Sequence, residues 1–191
     1  ERVEEHRHAA DVEGMAADGI RYTGFLYAGI MVGADGTPKV LEFNCRFGDP
    51  ETQALLPLLD SSLLEPMRTV AEGRSLVDAR PLRWKRGASV TTVVAAAGYP
   101  GAVKSGETIT LPADSAVTTV FHAGTGRGAS GALVTAGGRV VAVTALAASI
   151  AAAQTASAAE AGRVEFNGSQ FRSDIGWREL ARTSMSGVAS G

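Results

Sequence analysis

Glu42-Phe-Asn-Cys-Arg-Phe-Gly-Asp-Pro-Glu-Thr-Gln53 packs the end of a strand, a loop and the start of a helix into one short stretch. Side chains alternate along a strand, so Glu42 and Asn44 are expected on one face and Leu41, Phe43 and Cys45 on the other. If the extended backbone continues, Arg46 joins the first face. Phe43 and Cys45 then read as core. Asp49 suits an N-cap, Pro50 the first helical position, and Glu51 complements the positive end of the helix dipole. The helix is expected to end or kink at Pro57.

Before this stretch, Thr23 to Val32 and Lys39 to Asn44 read as two strands. Gly33-Ala-Asp-Gly-Thr-Pro38 between them carries turn chemistry, with Gly36 able to take positive φ, which makes an antiparallel hairpin. Residues 1 to 18 read as a helix closed by Gly19. His6 and His8, two apart, fall on different faces of that helix and read as solvated side chains. After the stretch, Ser62 and Glu65 match a capping box, Leu63, Leu64, Met67, Val70 and Ala71 follow helical spacing, and Gly73 closes the helix. The polar, basic segment Gly73 to Arg86 is the expected domain boundary.

Beyond it the pattern changes to short strands: Ala88 to Ala97, Thr108 to Leu111, Val117 to Ala123 and Ala132 to Thr135. Gly137-Gly138 is expected to turn the last of these into Arg139 to Thr144 as a hairpin. Ala145 to Ala161 should be helical, Val164 to Phe166 a short strand, and Asp174-Ile-Gly-Trp-Arg178 the approach to a last helix. A frayed tail is expected at the C-terminus.

Composition narrows the function. With 18 basic and 20 acidic residues well mixed among 191, the chain has no electrostatic footprint for nucleic acid or an anionic membrane. The single cysteine, Cys45, excludes a disulfide framework and a thiolate metal site, and a reducing cytoplasm is the simplest compartment. The apolar run Val140 to Ala153 is shorter than the roughly 20 residues of a membrane span and reads as strand then helix. No signal peptide is visible. The chain opens on Glu1 inside a helical pattern, as a piece of a longer protein would.

The chemistry points back to the opening stretch. A carboxylate and an amide oxygen are hard ligands suited to Mg²⁺, which commonly shares its coordination with substrate phosphates. An arginine beside them can hold phosphate or carboxylate oxygens in bidentate fashion, and N–H groups near Pro50 could face an anion. Taken alone, these residues read more simply as a solvated strand edge followed by a capped helix. Gly124-Thr-Gly-Arg-Gly128 lacks the following helix that a phosphate loop needs and reads as a flexible hairpin loop. His122 reads as a packed histidine.

The same stretch, preceded by Tyr22-Thr-Gly-Phe-Leu-Tyr-Ala-Gly29, resembles glycinamide ribonucleotide synthetase (phosphoribosylamine–glycine ligase), an ATP-grasp family. The likeness continues in Ala96-Ala-Gly-Tyr-Pro-Gly101, Val120-Phe-His-Ala-Gly124, Gly137-Gly-Arg-Val-Val141, Val143-Thr-Ala-Leu146 and Asp174-Ile-Gly-Trp-Arg178, covering residues 1 to 182. It implies an α+β fold: the second half of an ATP-grasp domain (1–78), with antiparallel strands and helices, a small mixed β/α C-terminal domain (79–182) and a disordered tail (183–191). It implies ligation of glycine to 5-phosphoribosylamine with ATP, through an acyl phosphate. Glu42 and Asn44 match the family's Mg²⁺ or Mn²⁺ ligands. Arg46 is implied as a catalytic contact to phosphate or substrate carboxylate, and Asp49 and Glu51 as substrate contacts. The family's glycine-rich loop, phosphate lysine and a further metal carboxylate have no counterpart here, so the missing N-terminal half is the implied partner. The complete enzyme is expected as a cytoplasmic monomer and this piece as inactive alone. The alternatives are a non-catalytic nucleotide-binding or fold-completing module, and another ATP-grasp carboxylate–amine ligase.

Overall fold

Turn chemistry and alternation build the first hairpin, and strand burial builds the second part of the chain. The computed structural model describes residues 13–77, 79–113 and 115–188. In order these run β1 (Tyr27–Val32), β2 (Pro38–Asn44), α1 (Glu51–Leu55), a 3₁₀ turn (Leu56–Leu58) and α2 (Leu64–Ala71). Then follow β3 (Ala88–Ala95), β4 (Thr118–His122), β5 (Thr125–Arg127), β6 (Leu133–Thr135), β7 (Arg139–Ala147), α3 (Ile150–Ala161) and α4 (Trp177–Val188). Two compact units emerge and they interleave: residues 1–48 with 61–82, and 49–60 with 83–191.

In the first unit β1 and β2 pair antiparallel. Their turn is held by Gly33 N donating to Thr37 O at 2.9 Å, with Gly36 at φ +79° where a glycine is favoured. Asp35 accepts from Thr37 N and Thr37 Oγ1, and these bonds hold its carboxyl below the usual range. The ladder slips once: Gly29 faces Glu42 but Ile30 faces Val40, leaving Leu41 as the extra residue of a bulge. β1 starts at Tyr27, later than Thr23, because the preceding segment folds on itself. Tyr22 OH donates to Phe25 O at 2.6 Å, and the Phe25 ring packs 4.0 Å from that of Phe47.

The second helix of this unit departs from its expected cap. Ser62 Oγ accepts from Leu64 N at 3.2 Å, but Leu63 stands at the N-cap and no side chain caps the helix, so the Ser62–Glu65 box does not form. Gly73 follows at φ +67°, the left-handed position that ends helices. Residues 13–17 are helical, with Gly19 at φ +75°; His6 and His8 lie outside the described residues.

In the second unit β7 is the centre of an antiparallel sheet ordered β3-β7-β4. Val140, Val141, Val143, Thr144 and Ala145 are fully buried, because both faces of the strand are covered. Each such valine stabilises the unit by about 1.5–3 kcal/mol. α3 covers one face, and its buried Ser157 hydroxyl lies 2.7 Å from Thr92 Oγ1 and 2.9 Å from Val143 O. α1 packs on the other face. There Thr144 Oγ1 donates to Gln53 O at 2.9 Å, so the 2.7 Å Thr91–Thr144 hydroxyl pair takes its proton from Thr91.

Pairing partners differ from expectation. β6 does not form a hairpin with β7 across Gly137-Gly138; it pairs with β5, while β7 takes β3 and β4. The Gly124 backbone crosses Gly137 so closely that a Cβ on Gly124 would lie 2.7 Å from Gly137 Cα. Most of Gly124 to Gly128 is therefore strand β5, not a free loop. Thr108 to Leu111 and Val164 to Phe166 contribute only isolated bridges, Thr108 to Val134 and Thr110 to Glu165. β7 continues through Ala145 to Ala147 because it still pairs with β3 there, and α3 starts later, with Ser149 Oγ capping Ala152 N. α4 runs to Val188, into the segment expected as tail. No helix among the described residues is long and apolar enough to cross a membrane.

Thr144→Val should lower the unfolding free energy by about 1–3 kcal/mol in urea titrations, since it strands both the Gln53 carbonyl and the Thr91 hydroxyl. Thr144→Ser should recover most of that loss. A valine variant as stable as the parent would show that the hydroxyl relay is dispensable.

Candidate functional site

The twelve-residue stretch is shared between the units, with residues 42–48 in the first and 49–53 in the second. On the first, Glu42 and Asn44 sit beyond the bulge and pair with Gly29 and Tyr27 respectively. They share one face as expected, about 7 Å apart along the strand. Glu42 is exposed and Asn44 half-buried. Neither side chain makes a hydrogen bond or ion pair with another described residue. A carboxylate and an amide oxygen left unspent on one face fit a hard divalent cation. No group of three or more His, Cys, Asp or Glu among the described residues could enclose a metal. The pair therefore fits a cation that completes its coordination with substrate oxygens, waters or donors from elsewhere.

Arg46 lies past the end of β2, in a bend, and does not extend the strand face. Its Nη1 donates 2.7 Å to Phe47 O, and the exposed guanidinium has no further partner among the described residues. Phe43 and Cys45 are exposed, as is Leu41, so the apolar face of the hairpin is not core among the described residues. Burial, then a hydrogen bond with Cys45, pushes the Tyr22 phenol up from its ordinary pKa.

Asp49 is not the N-cap. Pro50 occupies that position, the helix has no side-chain cap, and the Asp49 carboxylate is engaged elsewhere. Arg139 Nη2 donates to Oδ2 at 2.9 Å, Arg139 Nη1 to the Asp49 carbonyl at 3.0 Å, and Gln53 Nε2 to Oδ1 at 3.0 Å. Glu51, exposed in the first turn, keeps its dipole-complementing position. Beside the Asp49–Arg139 pair lies a cavity of about 510 Å³ lined by Pro50, Val93, Tyr99, Phe171 and two arginines, 139 and 172. Both guanidinium groups are already paired, Arg139 with Asp49 and Arg172 with Asp174. His122 is exposed, not packed, and its Nδ1 lies 3.1 Å from Thr125 Oγ1.

Three residues escaped the sequence reading. Arg139 and Gln53 hold Asp49, and Gly29 faces Glu42. Arg139 lies 90 positions from Asp49, and no local pattern links them.

The profile described as phosphoribosylglycinamide synthetase, ATP-grasp (A) domain, matches residues 1–52, and that described as the C domain of the same synthetase matches residues 89–178. The chain belongs to the phosphoribosylglycinamide synthetase family.

Curated relatives from this family agree. A phosphoribosylamine–glycine ligase of Ralstonia nicotianae is 44% identical over 90% of the chain, and one of Pasteurella multocida is 46% identical over 95%. The chain spans only about 40% of their length (40% and 42%). The crystal structure of the phosphoribosylamine–glycine ligase of Thermotoga maritima superposes with a TM-score of 0.73 at 35% identity, covering 86% of this chain and 40% of that one. Biotin carboxylase of Campylobacter jejuni, at 16% identity and TM-score 0.59 over 91% of this chain and 38% of its own, shares the fold alone. The α+β, ATP-grasp reading thus holds for this member of the synthetase family.

The Asp49–Arg139 pair is about two-fifths exposed on each side. A double-mutant cycle of Asp49→Asn and Arg139→Gln should give a favourable coupling energy of about 0.5–1 kcal/mol. A coupling near zero would mean that the pair does not fix the start of α1.

Proposed function

We propose that this chain is the metal-holding latter part of a phosphoribosylamine–glycine ligase, joining glycine to 5-phosphoribosylamine with ATP. The observation that carries the reading is the pair of unspent oxygen donors, Glu42 and Asn44, on one face of a strand whose segment matches the family's ATP-grasp domain. In the proposed reaction a glycine carboxylate oxygen attacks the γ-phosphorus of ATP, and ADP leaves with the bridging oxygen. The amine of phosphoribosylamine then attacks the acyl carbon of glycyl phosphate. The carbon–oxygen bond breaks, phosphate departs, and the nitrogen loses a proton.

A bound Mg²⁺ or Mn²⁺ would supply charge neutralisation at the ATP phosphates. Glu42 and Asn44 hold that ion in this reading. Arg46 extends its open donors to the transferring phosphate or to the glycine carboxylate. Of the two proposed substrate contacts, Glu51 offers an exposed carboxylate, while Asp49 has both oxygens oriented by Arg139 and Gln53. We further propose the division into ATP-grasp part (1–78), C-terminal domain (79–182) and tail (183–191). The reading also proposes a cytoplasmic, monomeric complete enzyme with small-molecule substrates, and an upstream half of the same enzyme that supplies the other ATP contacts.

Glu42→Ala in a ligase of full family length carrying this segment should reduce glycine-dependent ADP release at least about 100-fold, with little change in unfolding temperature. Unchanged turnover at saturating Mg²⁺ would overturn the assignment. This chain by itself should release no ADP in the same assay.

A further inference from the structure

Gly29 sits in the interior of β1, where a glycine weakens the strand and needs a reason. Its backbone supplies none, since Gly29 is absent from the positive-φ glycines. The reason lies across the ladder. A Cβ built on Gly29 would meet Glu42 Cγ at 3.0 Å, Glu42 Oε1 at 3.7 Å and Glu42 N at 3.8 Å, and these three nearest atoms all belong to one residue. The Glu42 side chain therefore leans across the strand pair into the space that Gly29 leaves empty. The bulge contributes as well. With Leu41 inserted, the ladder is set so that Gly29, not Ala28, faces Glu42. Bulges commonly re-aim a side chain in this way.

We propose that Gly29 is a positioning residue for the cation held by Glu42 and Asn44, keeping the carboxylate laid over β1. The proposal rests on the metal reading of Glu42. A methyl group at position 29 would be closer to Glu42 Cγ than ordinary van der Waals contact allows. Because Glu42 is exposed, its side chain is the part that yields, and the carboxylate moves off the position it shares with Asn44.

The test uses a ligase of full family length with Gly29→Ala, Gly29→Val, Glu42→Gln and the Gly29→Ala/Glu42→Gln pair. Mn²⁺ is titrated at fixed ADP, with free Mn²⁺ read by electron paramagnetic resonance and folding by thermal unfolding. Gly29→Ala should weaken Mn²⁺ binding about 10-fold, in the range found when groups that orient metal ligands are changed. Its unfolding temperature should not fall, and Gly29→Val should weaken binding further. In the Glu42→Gln background the alanine should have no added effect, because the residue it displaces is already disabled. Wild-type Mn²⁺ affinity in Gly29→Ala, with Glu42→Gln clearly weakened, would overturn the positioning role and leave the metal reading standing. An equal loss in the Glu42→Gln background would also overturn it. Wild-type affinity in Glu42→Gln would overturn both. If the valine variant fails to fold, the alanine variant and its cycle decide the question.

Discussion

A strand covered on both faces must find a partner for every polar group it carries, and β7 is built around that constraint. Its carbonyl and amide groups go to β3 and β4, and its one buried hydroxyl goes to helix α1. Thr144 cannot face an apolar layer without the Gln53 carbonyl, and the α1 carbonyl at Gln53 would otherwise lack this donor. On the opposite face Ser157 plays the matching part for α3. The second unit thus joins residues 49–60 to a sheet that begins at Ala88. Side-chain hydroxyls do the joining where a purely apolar contact would leave the register free.

That arrangement explains what local pattern could and could not reveal. The β1–β2 hairpin was legible because Gly33 to Pro38 carries turn residues that specify their own geometry. The strand-then-helix division of Val140 to Ala161 was legible because a membrane span needs a longer apolar run. Partner choice was not legible: Gly137-Gly138 looks like a hairpin turn, yet β7 pairs with β3 and β4. Asp49 shows the same limit. Its sequence context is that of an N-cap, but the carboxylate is bound by an arginine 90 residues away, and long-range electrostatics leaves no mark on local spacing.

The candidate site divides along the same line. The shared face of Glu42 and Asn44 follows from the period of a strand, so it could be read directly. The bulge at Leu41 could not, since one extra residue has no signature in an alternating pattern, and with it the pairing of Gly29 to Glu42 stayed hidden. Phe43 and Cys45 read as core because they are apolar and face away from Glu42, yet both are exposed. Alternation tells which residues share a face, but not what covers it.

Within a family whose curated members are about two and a half times longer, this chain carries two oxygen donors on one strand face, Glu42 and Asn44, followed by the exposed guanidinium of Arg46. The central claim is that those two oxygens share one cation. The most direct measurement is an anomalous-difference map of Mn²⁺ in crystals of a full-length ligase bearing this segment, grown with a non-hydrolysable ATP analogue. The account predicts a peak within about 2.5 Å of both Glu42 carboxylate and Asn44 amide oxygens. A Mn²⁺ peak at the nucleotide phosphates that touches neither residue would contradict it.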